Sequence, residues 1–123
     1  MLRSLSFDCA LCEYLCGVFP VDTIKRIWGD YAIGATKSKA VIYWQIDQQG
    51  RVRTGKVMRY NSESGHRVKE PSGVNWVHSL LKRRGVLPEG FNLIQCLFGE
   101  HLLRKYPHKP VALVEAEKTA LVC

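Results

Sequence analysis

Val41-Ile42-Tyr43-Trp44-Gln45-Ile46-Asp47-Gln48-Gln49-Gly50-Arg51-Val52-Arg53-Thr54-Gly55-Lys56-Val57-Met58-Arg59-Tyr60 decides the fold class. β-branched and aromatic residues fill 41–46, a composition that suits a pleated strand. Asp47-Gln48-Gln49-Gly50 then reads as a glycine-containing hairpin turn, and 52–60 as the returning strand. Gly55, inside that second strand, marks either a bulge or a point of close approach to the backbone. Asn61 to Gly65 makes another turn, and 66–69 a further short strand. Strands in direct succession form an antiparallel meander, not a strand–helix–strand unit.

Helices are expected on both sides of the meander. Residues 10–18 read as a short helix. Asp22 reads as the N-cap of a second helix, with Ile24, Ile27 and Trp28 on one face and Gly29 as its stop. The stretch 31–39, with Gly34, Thr36 and Ser38, reads as loop. Further on, Asn75 reads as a cap for a helix that turns Trp76, Val77, Leu80 and Leu81 inward. Lys82, Arg83 and Arg84 fill its last turn, where the helix dipole favours cations, and Gly85 ends it. A helix over 100–105 follows Gly99, with Leu102 and Leu103 expected to be buried.

The segment Lys109-Pro110-Val111-Ala112-Leu113-Val114-Glu115-Ala116-Glu117-Lys118-Thr119-Ala120-Leu121-Val122-Cys123 has a different character. Its apolar run reads as a strand buried on both faces, of the kind found in parallel sheets. A carboxylate at the end of such a strand sits where open α/β sheets place their sites. Glu117, by contrast, suits the first turn of the helix that follows.

Composition narrows the function classes. At 46% hydrophobic and 24% charged residues the chain is an ordinary globular protein and not a disordered one. No apolar stretch reaches membrane-spanning length, and Asp8 and Glu13 interrupt the N-terminal apolar residues, so a cytoplasmic address without membrane contact is expected. The net charge of +7 favours polyanionic partners, of which nucleic acid is the commonest. The five cysteines include Cys9, Cys12 and Cys16, but no second ligand pair follows nearby. Zinc is therefore not expected, and Cys12 and Cys16 read as one helical turn apart on a buried face.

Cations concentrate in the meander. Arg51, Arg53, Lys56, Arg59, Arg67 and Lys69 oppose only Glu63 and Glu70 over 51–70. Arg53, Gly55, Val57 and Arg59 share one strand parity, so Arg53 and Arg59 are expected to project from one sheet face. Lys82, Arg83 and Arg84 form a second cluster, which phosphate contact and local dipole electrostatics explain equally well. Binding through such residues would be largely independent of sequence and sensitive to salt. Tyr43 and Tyr60 are open between base stacking and core packing, whereas Trp44 reads as core.

Val111-Ala112-Leu113-Val114-Glu115-Ala116-Glu117 resembles the first Toprim motif, an apolar strand ending in a glutamate. The order of motifs upstream is similar to that of primase-related proteins. These motifs are the strand–turn–strand from Ala40 to Val52, Arg53-Thr54-Gly55-Lys56, Trp76-Val77-His78 and Phe98-Gly99-Glu100-His101. Over roughly residues 17–123 the chain most closely resembles the Toprim-like, primase-related proteins of Bacteroidetes genomes and mobile elements, with Ala116 in place of a serine.

The resemblance implies an α+β fold: an antiparallel β meander with packed helices, followed by the first strand and helix of a truncated Toprim-like α/β unit. With the N-terminal helical segment read at 1–22, the resemblance makes 23–108 a primase-like subdomain with a basic hairpin and 109–123 the start of a Toprim-like domain. It implies Mg²⁺-dependent nucleotidyl transfer on nucleic acid. Glu115 would be the catalytic carboxylate and a Mg²⁺ ligand, with Glu117 a weaker candidate. Arg51, Arg53, Lys56, Arg59, Arg67, Lys69, Lys82, Arg83 and Arg84 would hold single-stranded DNA. Replication or mobile-element proteins are the implied partners. The family's Asp-x-Asp motif has no match before Cys123, so this stretch alone is expected to be inactive, or to serve as a non-catalytic binding module.

Overall fold

The computed structural model describes residues 5–6, 8–68, 74–85 and 93–122. In chain order the elements are α1 (Ala10–Cys16), α2 (Val21–Tyr31), β1 (Gly34–Ala35), β2 (Val41–Ile46), β3 (Val52–Met58), β4 (Val74–Trp76), α3 (Val77–Arg83), α4 (Leu102–Lys105) and α5 (Glu117–Val122). The strands form one antiparallel sheet in the order β1-β2-β3-β4, so the fold is α+β, as expected from the meander.

Every residue of β2 is buried, which places the strand between two apolar layers. On one face Val41 and Tyr43 join Leu11, Cys12 and Leu15 of α1, Ile24 and Trp28 of α2, Met58, Tyr60 and Leu121 of α5. On the other, Ile42, Trp44 and Ile46 join Val57, with Val77 and Leu80 of α3 packed against them. Trp44 is core, and Tyr43 and Tyr60 are too: their hydroxyls meet at 2.8 Å in the interior.

Gly55 is a point of close approach. It pairs with Trp44, and a Cβ there would lie 2.9 Å from side-chain atoms of Ile42, Trp44 and Val77. The register shift of the hairpin lies elsewhere, between Gln45 and Ile46.

Several elements depart from the sequence reading. β1 arises inside the expected loop, because its backbone finds Val41 and Ile42 as antiparallel partners. Asn75 and Trp76 belong to β4, paired with Val57 and Lys56, so the helix starts at Val77. Pairing with a sheet edge satisfies these backbone groups better than an extra helical turn. α2 begins after Pro20 rather than at Asp22, and it ends at Ala32 in the left-handed conformation (φ 53°) rather than at Gly29. Leu103 is exposed. Of the expected strand at 66–69 there is one bridge, Tyr60 to Arg67, and Lys69 lies outside the described residues.

The largest departure is at 111–114. The segment carries no strand, and Val111 and Leu113 are 70% and 83% exposed. An apolar run becomes a buried strand only when a sheet edge is within reach, and none of the described strands pairs with it. The helix expected after it does form, and α5 is docked through Leu121 into the larger core.

Among the described residues no helix is long and apolar enough to cross a membrane.

Two glycine substitutions test this packing. Gly55→Ala drives a methyl group into Ile42, Trp44 and Val77 and is expected to destabilise by about 1–3 kcal/mol. Gly29→Ala, inside α2 with open space around it, is expected to stabilise by about 0.5–1 kcal/mol. Urea midpoints moving in opposite directions for the two variants are the expected result.

Candidate nucleic-acid interface

Asp47 organises the hairpin turn and determines what its arginines can do. One carboxylate oxygen accepts the Gln49 and Arg51 amides at 3.0 and 2.9 Å. The other accepts Arg51 Nε at 2.9 Å and Arg53 Nε and Nη2 at 3.0 and 2.9 Å. Burial alone would raise the pKa of Asp47, but the Arg51 amide and guanidinium and the Gln49 amide outweigh it and hold the carboxyl below its ordinary value. Arg53 is therefore turned back into the turn. The face that carries Gly55 and Val57, expected to present arginines, is instead the apolar layer beneath α3. Arg51 keeps most of its side chain in solvent while bound to Asp47.

Lys56 lies opposite Tyr43 on β2 and opposite Trp76 on β4, so these three side chains form a row across the sheet. Glu117 covers the row, accepting from Lys56 Nζ at 3.2 and 3.3 Å in a largely buried ion pair. The same ammonium stands 6.0 Å from the centre of the Trp76 ring. His78, packed at 5.8 Å from Trp76, shares a 2.8 Å hydrogen bond between Nδ1 and Oγ1 of Thr54. Lys118 reaches back to donate to the Gly65 carbonyl at 2.8 Å. Arg53-Thr54-Gly55-Lys56, Trp76-Val77-His78 and the Glu117-Lys118 step are thus joined in space.

Phe98-Gly99-Glu100-His101 has a packing role. Phe98 stacks on Tyr31 at 5.0 Å and meets Tyr43 edge-on at 5.2 Å. Gly99, at φ +82°, leaves no room for a side chain beside the Tyr31 ring. His101 donates from Nε2 to the Asp30 carbonyl at 2.8 Å. Lys105 and Tyr106 bind the Asp30 carboxylate, and the Lys105 hydrogen bond is the main reason that its pKa is lowered.

A cleft of about 770 Å³ opens beside this motif. Gln45, Trp76, Cys96, Phe98 and Tyr106 line it, as does the whole of 109–117. Glu115 stands exposed on its wall and makes no ion pair with a described residue. Cys9 and Cys12 are buried, and Cys12 and Cys16 Sγ are 3.9 Å apart. Burial first, and Cys16 second, push the Cys12 thiol up to about 12, so it stays protonated and weakly reactive at neutral pH. Among the described residues no three His, Cys, Asp or Glu side chains gather to hold a metal ion.

Five of the cations expected to hold phosphate have no carboxylate partner among the described residues. Arg59 and Arg67 are exposed on adjacent chain segments, joined by the bond from the Val68 amide to the Arg59 carbonyl. Lys82, Arg83 and Arg84 are exposed at the end of α3. Sequence reading missed Asp47, although an acidic residue at the first position of a turn before Arg51 and Arg53 was the available signal.

A meander sheet between two helical layers, with a cleft at one side, defines the chain as an α+β domain. It belongs to the family described as Domain of unknown function (DUF6371), which matches residues 10–123. No curated protein and no solved structure matches it.

Asp47 and Asp30 both have lowered folded-state pKa values, so each stabilises the fold above its unfolded value of about 4 and ceases to do so as pH falls through the lower folded value. Asp47→Asn is expected to lower stability at neutral pH and to flatten the acid limb of a stability–pH profile. An unchanged slope below pH of about 4 would show that Asp47 is not a source of that limb.

Proposed function

We propose that this chain is the nucleic-acid-binding part of a primase-like Toprim protein and holds single-stranded DNA by its phosphates. One observation carries the reading: Arg59, Arg67, Lys82, Arg83 and Arg84 are exposed with no carboxylate partner among the described residues, in a chain of net charge +7. Cations already bound to carboxylates, such as Arg53 and Lys56, would have to exchange one partner for another and gain less. The free ones neutralise phosphate and release counterions. Tyr43 and Tyr60 are too deep to stack on bases, so contact through the backbone, without sequence preference, is the mode that fits.

In this reading Glu115 contributes to the nucleotidyl-transfer chemistry of the whole protein, and replication or mobile-element proteins are its partners. The described donors do not by themselves fit Mg²⁺. Phosphoryl transfer of this type draws on several carboxylates, and here Glu117 is held by Lys56 and no three candidate ligands gather at Glu115 among the described residues.

The test is binding of a fluorescently labelled oligo-dT across a salt series. Affinity is expected to fall steeply with salt. Replacing Lys82, Arg83 and Arg84 together by Gln is expected to weaken binding by about tenfold and to reduce the log–log salt slope by about 2. Arg59→Gln with Arg67→Gln should act in the same direction. Arg51→Gln with Arg53→Gln should lower the unfolding midpoint and leave the slope nearly unchanged. No detectable binding at low salt would remove the reading.

A further inference from the structure

Every residue of 109–115 except Val114 is exposed, and the segment is apolar at its centre and oppositely charged at its ends. Val111 and Leu113 are 70% and 83% exposed, and Leu97, 60% exposed, lines the same cleft. Between residues 110 and 114 no backbone group bonds to the backbone of a described residue, although the composition favours strand. Unpaired backbone beside exposed β-branched and leucine side chains is a template for strand addition.

The sequence specifies which strand fits. Pair the segment with itself, antiparallel, about Ala112. Val111 then faces Leu113 of the second copy, and Lys109 faces its Glu115, twice by symmetry. If the Ala112 pair is of the non-hydrogen-bonded type, Val111 and Leu113 exchange both backbone bonds across the axis. Pro110, which has no N–H to give, then falls at a position that needs none. Lys109, Val111, Leu113 and Glu115 lie on one side of the ribbon, and all are exposed. Val114, on the other side, is half-buried against the body of the domain.

We infer that 109–115 is a self-complementary strand through which two copies of this chain associate edge to edge. A ribbon of this length covers less surface than a standard stable interface, so the association is concentration-dependent. It does not rest on nucleic-acid binding.

Sedimentation equilibrium of the 123-residue chain, in reductant and without nucleic acid, tests it. A monomer–dimer equilibrium is expected. Lys109→Glu and Glu115→Lys each replace two attractive cross-strand pairs by repulsive ones and should weaken dimerisation by about tenfold or more. The two single variants mixed should form heterodimers, since each supplies the charges that the other lacks, and the double variant should recover self-association. Both positions are exposed, and unchanged circular dichroism would show that the variants are folded. A monomer at every concentration would overturn the inference. So would dimers that are indifferent to the charge swap, or that appear only when reductant is omitted.

Discussion

Burial of β2 on both faces is the constraint on which the other elements depend. A central strand with Tyr43 on one side and Trp44 on the other must be covered twice. α1, α2 and α5 supply one cover and α3 the other. The second cover closes only because residue 55 has no side chain: Val77 Cγ2 occupies space that any Cβ there would reach. A glycine inside a strand weakens it in isolation, so its presence here is explained by what packs against it. The same contact fixes the start of α3, and with it the positions of Trp76 and His78.

The joined motifs consequently have more to do with architecture than their residue types suggest. Lys56 is a cation on a basic hairpin, yet its ammonium is shared between Glu117 and the Trp76 ring. A largely buried pair of this kind adds little net stability over apolar packing, but removing one partner alone leaves an uncompensated charge. Its consequence is therefore positional. It fixes the first turn of α5, and Glu115, two residues earlier, stands on the cleft wall as a result. His78 on Thr54 and His101 on the Asp30 carbonyl act in the same way. Each ties a motif to a neighbouring element.

What was legible in the sequence follows from the range of the interactions involved. The β2–β3 hairpin is local, and its composition, turn and glycine announced it. α1 and the apolar face of α2 were legible for the same reason. β1 and β4 were not, because each is a strand only by virtue of a partner, and the residues around Asn75 fit a helical pattern equally well. The run at 111–114 shows the opposite error: apolar composition signals a wish for burial but does not supply an edge to pair with. The candidate interface was legible as a charge count and not as a geometry. Arg51 and Arg59 look alike in the sequence, and only the fold reveals that Asp47 engages one of them.

Charge is also distributed unevenly over the surface, and this separates the possible contacts. The cleft wall carries Arg26 and Lys109 against Asp30, Glu100, Glu115 and Glu117. Lys105 and Lys56 neutralise Asp30 and Glu117, which leaves the cleft close to balanced. It therefore offers no net attraction for a phosphate backbone, whereas its apolar rim at Leu97, Val111 and Leu113 suits a polypeptide. The excess positive charge is expressed elsewhere, at Arg59 and Arg67 and at the end of α3. A polyanion is drawn to those places by long-range attraction that salt screens. Contact at the cleft rim combines apolar burial and backbone pairing, which salt affects little, with the exposed Lys109–Glu115 pairs, which salt screens, so it falls less steeply with ionic strength than contact at the cation clusters does.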